Sequence, residues 1–155
     1  MTSGALECRL ISPEFAPGLA TLFDTFRASG TEQVFHPHPL THQEALKIAN
    51  YRGNDLYYLL TEGPSVLGYG MLRGWDEGYE IPSLGVALDP SVRGQGYGSM
   101  FMHFLHAAAW RHGAKRVRLT VHRDNVQARA LYQSLGYVFQ QQQVDPLIGY
   151  LELRP

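Results

Sequence analysis

Apolar positions along this chain recur at two spacings, and the places where the spacing changes mark out its elements. Residues 7–11 read as a short first strand. Ser12 and Pro13 follow as a helix N-cap and a first helical position. Phe15, Leu19, Leu22, Phe23 and Phe26 then recur at helical spacing, a wide stripe that predicts a buried face. A second helix opens on Thr41-His42-Gln43-Glu44, a capping-box pattern, and stops near Gly53. Residues 56–61 and 66–72 read as strands joined into a hairpin by the turn residues Glu62-Gly63-Pro64-Ser65. A second turn at 74–78 leads into a strand ending at Leu88. Asp89-Pro90 turns the chain into an apolar helix over 100–110. Residues 117–121 alternate strictly, the mark of a half-buried strand. Val126, Ala130 and Leu131 share one face of a short helix that Gly136 stops. The tail is expected to add a strand around 148–153. The order is β-α-α-β-β-β-α-β-α-β, an α+β (mixed α/β) arrangement.

Composition narrows the class. A chain of 155 residues is expected to form one domain, 1–155, with a proper core. With 45% hydrophobic and 17% charged residues it is globular. The net charge of −1 provides no global basic field, so neither nucleic acid nor an anionic membrane is an expected partner. An acidic ligand must therefore be held by a local site. The lone Cys8 can form no internal disulfide and is expected to be buried and inert, which fits a reducing compartment. No charged segment precedes an apolar leader, and no apolar run approaches the about eighteen residues that span a bilayer. The expectation is a soluble, cytoplasmic protein. No repeat or linker breaks the chain, and the polar tract 140–143 reads as loop or edge strand.

The local site is Arg93-Gly94-Gln95-Gly96-Tyr97-Gly98, a glycine-rich corner between the strand ending at Leu88 and the following helix. Such a corner offers unpaired backbone N–H groups and the positive end of a helix dipole to an anion. Glycine matters because the missing Cβ lets phosphate oxygens reach the backbone. Two phosphate grips are excluded by counting. A dinucleotide fingerprint needs a third small residue, where this chain has Ser99 or Phe101 depending on the register. A P-loop needs Gly-Lys-Ser/Thr, a tripeptide the chain lacks.

What remains is Arg/Gln-x-x-Gly-x-Gly/Ala, written here with Arg93, Gly96 and Gly98. That pattern resembles the acyl-CoA pyrophosphate loop of the GNAT superfamily of N-acetyltransferases. A second stretch, from Asn125 through Leu131-Tyr132 to Leu135-Gly136-Tyr137, resembles the family's other signature. The resemblance implies a central, mostly antiparallel sheet splayed at two parallel strands and flanked by helices. It also implies acetyl-CoA as co-substrate, with no metal. Val86, Ala87 and Leu88 would bind the pantetheine as an added strand does. The backbone of Arg93, Gly94, Gln95, Gly96, Tyr97 and Gly98, with Ser99, would hold the pyrophosphate. Arg93 either adds charge there or is a solvated loop arginine. Asn125 would bond CoA or fix its loop, and is also a fitting N-cap.

The implied reaction is attack of an amine on a thioester, which needs a proton donor for the leaving sulfur. Tyr132 matches the family position facing that sulfur and is the expected general acid; packing into the core is the alternative. Glu80 is the candidate base. The position that carries a glutamate in histone-type members is Pro82, and Glu80 lies two residues earlier, about 7 Å further along a strand. It would act through water, bind a cationic acceptor, or simply face solvent. His122 is a weaker candidate base. The His36/His38 pair has metal spacing but no third ligand nearby, and His103 and His106, one turn apart on the helix, are expected at the surface or at the boundary of the core. Phe35 to Pro39 and Trp75 to Tyr79 would form the acceptor pocket. Aromatic walls with acidic groups suit a small-molecule amine: an amino sugar, amino acid or polyamine-like acceptor. A homodimer is expected only from its frequency in the family. A non-catalytic acyl-CoA-binding or regulatory module is the competing reading, as is an unrelated nucleotide binder.

Overall fold

A computed structural model describes residues 4–140 and 145–154. Strands β1 (Leu6–Leu10), β2 (Leu56–Glu62), β3 (Ser65–Arg73), β4 (Ser83–Leu88), β5 (Arg116–Val121), β6 (Val138–Phe139) and β7 (Leu147–Glu152) form one seven-stranded sheet in the order β1-β2-β3-β4-β5-β7-β6. The helices are α1 (Ala16–Ala28), α2 (His42–Ala49), α3 (Tyr97–Arg111) and α4 (Val126–Ser134). Every neighbouring strand pair is antiparallel except β4 and β5. This is the mixed α+β, mostly antiparallel architecture expected.

Alternation along the strands feeds two cores. Leu59 and Met71 point into a core built with Leu19, Phe23 and Phe26 of α1. Their neighbours Leu60 and Leu72 point into the other, with Phe101 and Leu105 of α3. The sheet is thus covered by α1 and α2 on one face and by α3 on the other. Gly70 permits the close approach of α3. A Cβ there would lie 2.9 Å from both Leu105 Cδ1 and Phe101 Cζ.

Local signals show where they hold and where they fail. Thr41 Oγ1 accepts the Glu44 N–H at 3.1 Å and caps α2, which ends at Ala49, before the expected stop. Ser12 makes no capping bond; its hydroxyl donates to Glu14, and a 3-10 turn over Pro13–Phe15 precedes α1. Val126 is 67% exposed and Ala130 is exposed too, so of the face they share with Leu131 only Leu131 is partly covered. Cys8 is only half-buried, and partial burial pushes its thiol up. Of the polar tract 140–143 only Gln140 lies within the described residues, where its N–H donates to the Ile148 carbonyl at 2.9 Å.

The feature that creates the site is the junction of β4 and β5. These parallel strands are paired only at Ser83 and Arg118, where the Arg118 N–H donates to the Pro82 carbonyl at 3.0 Å. Beyond that point they part. The edge of β4 that faces β5 is left without a ladder from Leu84 to Leu88.

Candidate active site

A cleft of about 820 Å³ fills the gap between the parting strands. Its floor is Leu84 to Leu88 of β4 on one side and Thr120, Val121 and His122 on the other. The glycine corner closes one end, through Arg93, Gly94, Gly96, Gly98 and Ser99. Asn125, Leu131 and Tyr132 line it from the α4 side, and Phe35, His36, Met71 and Arg73 line the opposite end.

The glycine corner is built by backbone geometry. Asp89 Oδ1 accepts the Ser91 N–H at 2.9 Å, starting a 3-10 turn over Pro90–Val92. Gly94 and Gly96 then take φ of +75° and +88°, and the space where a Cβ would stand is open at both. Gly96 is the N-cap of α3, and its carbonyl accepts the Met100 N–H at 3.2 Å. The amides of Tyr97, Gly98 and Ser99 therefore have no intrahelical partner. Arg93 is more than a solvated cation. Its guanidinium donates to Thr31 Oγ1 at 2.8 Å and to the Leu88 carbonyl at 3.1 Å, tying the corner to the end of β4 and to the turn after α1. Open glycine backbone, unpartnered amides and an arginine in one concavity form a donor set that fits a pyrophosphate.

Most of the residues expected at the site come together, with exceptions. Val86, Ala87, Leu88, Arg93, Gly94, Gly96, Gly98, Ser99, Asn125 and Tyr132 all line the cleft. Gln95 turns away, its amide donating to the Ser91 carbonyl at 3.4 Å. Tyr97 packs against the α3-side core. Asn125 Oδ1 accepts the Ala128 N–H at 3.3 Å, so it caps α4 while lining the cleft.

Tyr132 is held by α4 with its ring 5.8 Å from that of Tyr137. Burial pushes its hydroxyl up to about 12, so it is protonated at neutral pH. Glu80 is not brought into the cleft: it is exposed on the bend before β4, which begins only at Ser83, so the strand period does not reach it. Trp75 and Asp76 are also elsewhere. Trp75 stacks edge-on against His112, and Asp76 accepts from the Tyr51 hydroxyl and the Asn54 amide. Among the described residues lining the cleft there is no Asp or Glu.

The histidines separate by role. His38 is structural, bonded to the Tyr69 hydroxyl at 2.8 Å, and burial pulls its pKa down. His103 is exposed and His106 sits half-buried at the boundary, where it bonds the Tyr137 hydroxyl at 2.7 Å and burial pulls it down to about 4. His36 and His122 face one another in the cleft with ring centroids 5.7 Å apart. Among the described residues no cluster of three His, Cys, Asp or Glu could hold a metal. None of their helices is long and apolar enough to cross a membrane. Arg73 and Thr31 line the cleft, and Asp145 meets His122 from outside that lining; no sequence pattern marked any of the three.

Comparison with known proteins places this geometry. Residues 19–137 match the model of the acetyltransferase (GNAT) family. The chain belongs to that family. Among solved structures, the GNAT domain of S. lividans PAT shares 14% identity at TM-score 0.82, over 97% of this chain and 92% of that one. The PaiA N-acetyltransferase of Thermoplasma acidophilum, solved in complex with coenzyme A, shares 16% at TM-score 0.75, over 96% and 99%. A Salmonella typhimurium acetyl transferase that modifies the N-terminal serine of a 50S ribosomal subunit protein shares 18% at TM-score 0.75, over 96% and 95%. No curated protein matches the chain. At these identities the likeness is one of fold.

Proposed function

We propose that the chain is an acetyl-CoA-dependent N-acetyltransferase that acts on a small amine by direct attack in a ternary complex. The observation that carries this is the continuity of the cleft. It runs from an anion grip at Gly94–Ser99, along the open edge of β4, to the hydroxyl of Tyr132. Acetyl-CoA, when bound, supplies an activated acetyl group on a sulfur leaving group.

The residues divide the work. Unpaired amides at the start of α3 hold the diphosphate. Each such terminus contributes ~0.3–2 kcal/mol to an anion, so several amides share the load. The N–H and C=O of Val86 and the N–H of Leu88, which point away from β3 into the gap, bind the pantetheine amides in the manner of an added strand, while the Leu88 carbonyl is taken by Arg93. A β4 amide near Val86 polarises the acetyl carbonyl. The Tyr132 hydroxyl donates to the departing sulfur. Desolvation raises the tyrosine, but it makes a free thiolate in the same cleft equally unfavourable, so the proton is wanted where the tyrosine offers it.

The acceptor end narrows the amine. A polyamine would need carboxylates, and the described lining has none. Arg73 lies there instead, donating to the Pro37 carbonyl at 2.9 Å and with no carboxylate within ion-pair distance among the described residues. An amino acid, whose carboxylate Arg73 would hold beside the Phe35 and Met71 walls, fits best. Thiol release from acetyl-CoA should be measured over free amino acids, hexosamines and diamines, with the N-acetylated product identified by mass. Turnover is expected with amino acids. Tight CoA binding without turnover on any acceptor would favour the non-catalytic acyl-CoA-binding module.

A further inference from the structure

Attack requires a neutral amine, and most amino groups arrive as ammonium at neutral pH. Bulk water or a group in the cleft must take that proton. Glu80 is outside the cleft and no other carboxylate among the described residues lines it, which leaves the two imidazoles, His36 and His122. They are not equivalent.

His122 directly follows β5, whose inward residues Val117 and Leu119 are buried in the core, and it lines the cleft together with Thr120 and Val121. Its Nδ1 lies 3.0 Å from Asp145 Oδ2. The other carboxylate oxygen, Oδ1, accepts the Arg123 N–H at 2.6 Å. These two donors hold the Asp145 carboxyl below its ordinary range, so it is ionised and can only accept. Nδ1 must then carry the hydrogen, and Nε2 is left with a free lone pair. A carboxylate behind the ring also stabilises the imidazolium once it forms. His36 has its Nδ1 turned to the Glu32 carbonyl at 2.9 Å, which orients the ring but supplies no counter-charge.

We propose that His122 is the proton acceptor for the amine, with Asp145 as its positioning residue, a reading that rests on acetyl transfer in this cleft. The protons balance. Of the three on the ammonium nitrogen, one passes to His122 Nε2 before attack and is later released to solvent. A second leaves the nitrogen as the C–N bond forms and the C–S bond breaks, and it restores the one that Tyr132 gives to sulfur. The third stays on the amide. His36 faces this ring across the cleft; the other titratable groups lining the same cleft are Tyr132 from α4, Arg73 from β3 and Arg93 from the glycine corner, with Arg123 beside His122 in the chain.

The test begins on the protein without ligand. Long-range ¹⁵N NMR should show His122 as the Nδ1–H tautomer, and Asp145→Asn should abolish that preference. With acetyl-CoA and the best amino acid from the panel, His122→Gln should lower kcat/KM for the amine by about 10²-fold. The acidic limb of its pH profile should disappear, with the CoA-induced thermal shift intact. Asp145→Asn should lower kcat/KM for the amine with the CoA-induced thermal shift intact. Three results overturn the proposal alone: an Nε2–H tautomer, an unchanged limb and rate in His122→Gln, or a rate loss matched by loss of the CoA thermal shift. Absence of turnover by the unmodified protein on every acceptor would instead sink acetyl transfer, and this proposal with it.

Discussion

Replacing Gly96 by alanine separates what the glycine corner does for the fold from what it does for a ligand. Gly96 sits at φ +88° with nothing within 4 Å of a built Cβ, so the substitution makes no clash. Its penalty is the left-handed backbone alone, about 1–2 kcal/mol. For a domain of this size each kcal/mol moves Tm by roughly 2–4 °C, giving a fall of roughly 2–8 °C. Gly113 provides the matched control. It has φ +100°, equally open space, and a place in the turn after α3, away from the cleft-lining residues. Gly113→Ala should lose stability to the same extent. Only Gly96→Ala puts a methyl group where the ligand's phosphate oxygens approach the backbone. Titrating CoA while following Tm reads the affinity from the ligand-dependent stabilisation. Gly113→Ala should keep the full CoA shift, whereas Gly96→Ala should need at least about tenfold more CoA for the same shift, equivalent to about 1.4 kcal/mol. If both variants respond to CoA like the unmodified protein, the corner is a helix cap and the pyrophosphate binds elsewhere.

Other outcomes follow from the same geometry. Tyr132→Phe should lower kcat by about 10²-fold or more with the CoA thermal shift retained, since it removes only the proton donor; an unchanged kcat in a stopped assay would assign Tyr132 to packing. Arg73→Met should raise KM for an amino acid about tenfold or more while sparing its amide derivative, and equal effects on both would remove Arg73 from carboxylate binding. His106 is held near 4 in the fold against an ordinary value of about 6.5, so the unfolded chain binds the extra proton between those pH values. Stability should therefore fall as pH drops from about 6.5 to about 4. His106→Gln should flatten that slope in thermal melts, leaving the smaller contribution of His38, which burial also lowers. A slope that His106→Gln leaves untouched would count against the buried neutral ring.

What the sequence makes legible is what short stretches of backbone decide by themselves. The Thr41 cap, the 62–65 hairpin turn and the positive-φ glycines are fixed by residues within a few positions of one another, and all are present. The donor half of the cleft is legible for the same reason, because one strand, one turn and one helix start supply it. The half proposed to take the acceptor is assembled from β3, the segment after α1, the end of β5 and the residues before β7, and no local pattern announces that meeting. Asp145 reaches His122 across 23 positions of chain, from a stretch without periodicity. Glu80 illustrates the opposite failure. Counting by two along a strand carries it towards the site, but Pro82 precedes the first paired residue, Ser83, and the chain before it bends into solvent. The acidic residues at 76 and 77 fail similarly: Asp76 turns back to Tyr51 and Asn54 rather than to a ligand.

In the proposed complex acyl-CoA lies in the cleft between β4 and β5 with its diphosphate on the glycine corner and its sulfur at Tyr132. Titration of the labelled protein with CoA, followed by amide and aromatic NMR shifts, tests it most directly. Concerted shifts are expected at the amides of residues 94–99 and 86–88 and at the Tyr132 ring, with Tyr58 and Phe104 in the groove beside α3 unmoved. Shifts centred on Tyr58 and Phe104, or none at residues 94–99 at saturating CoA, would contradict it.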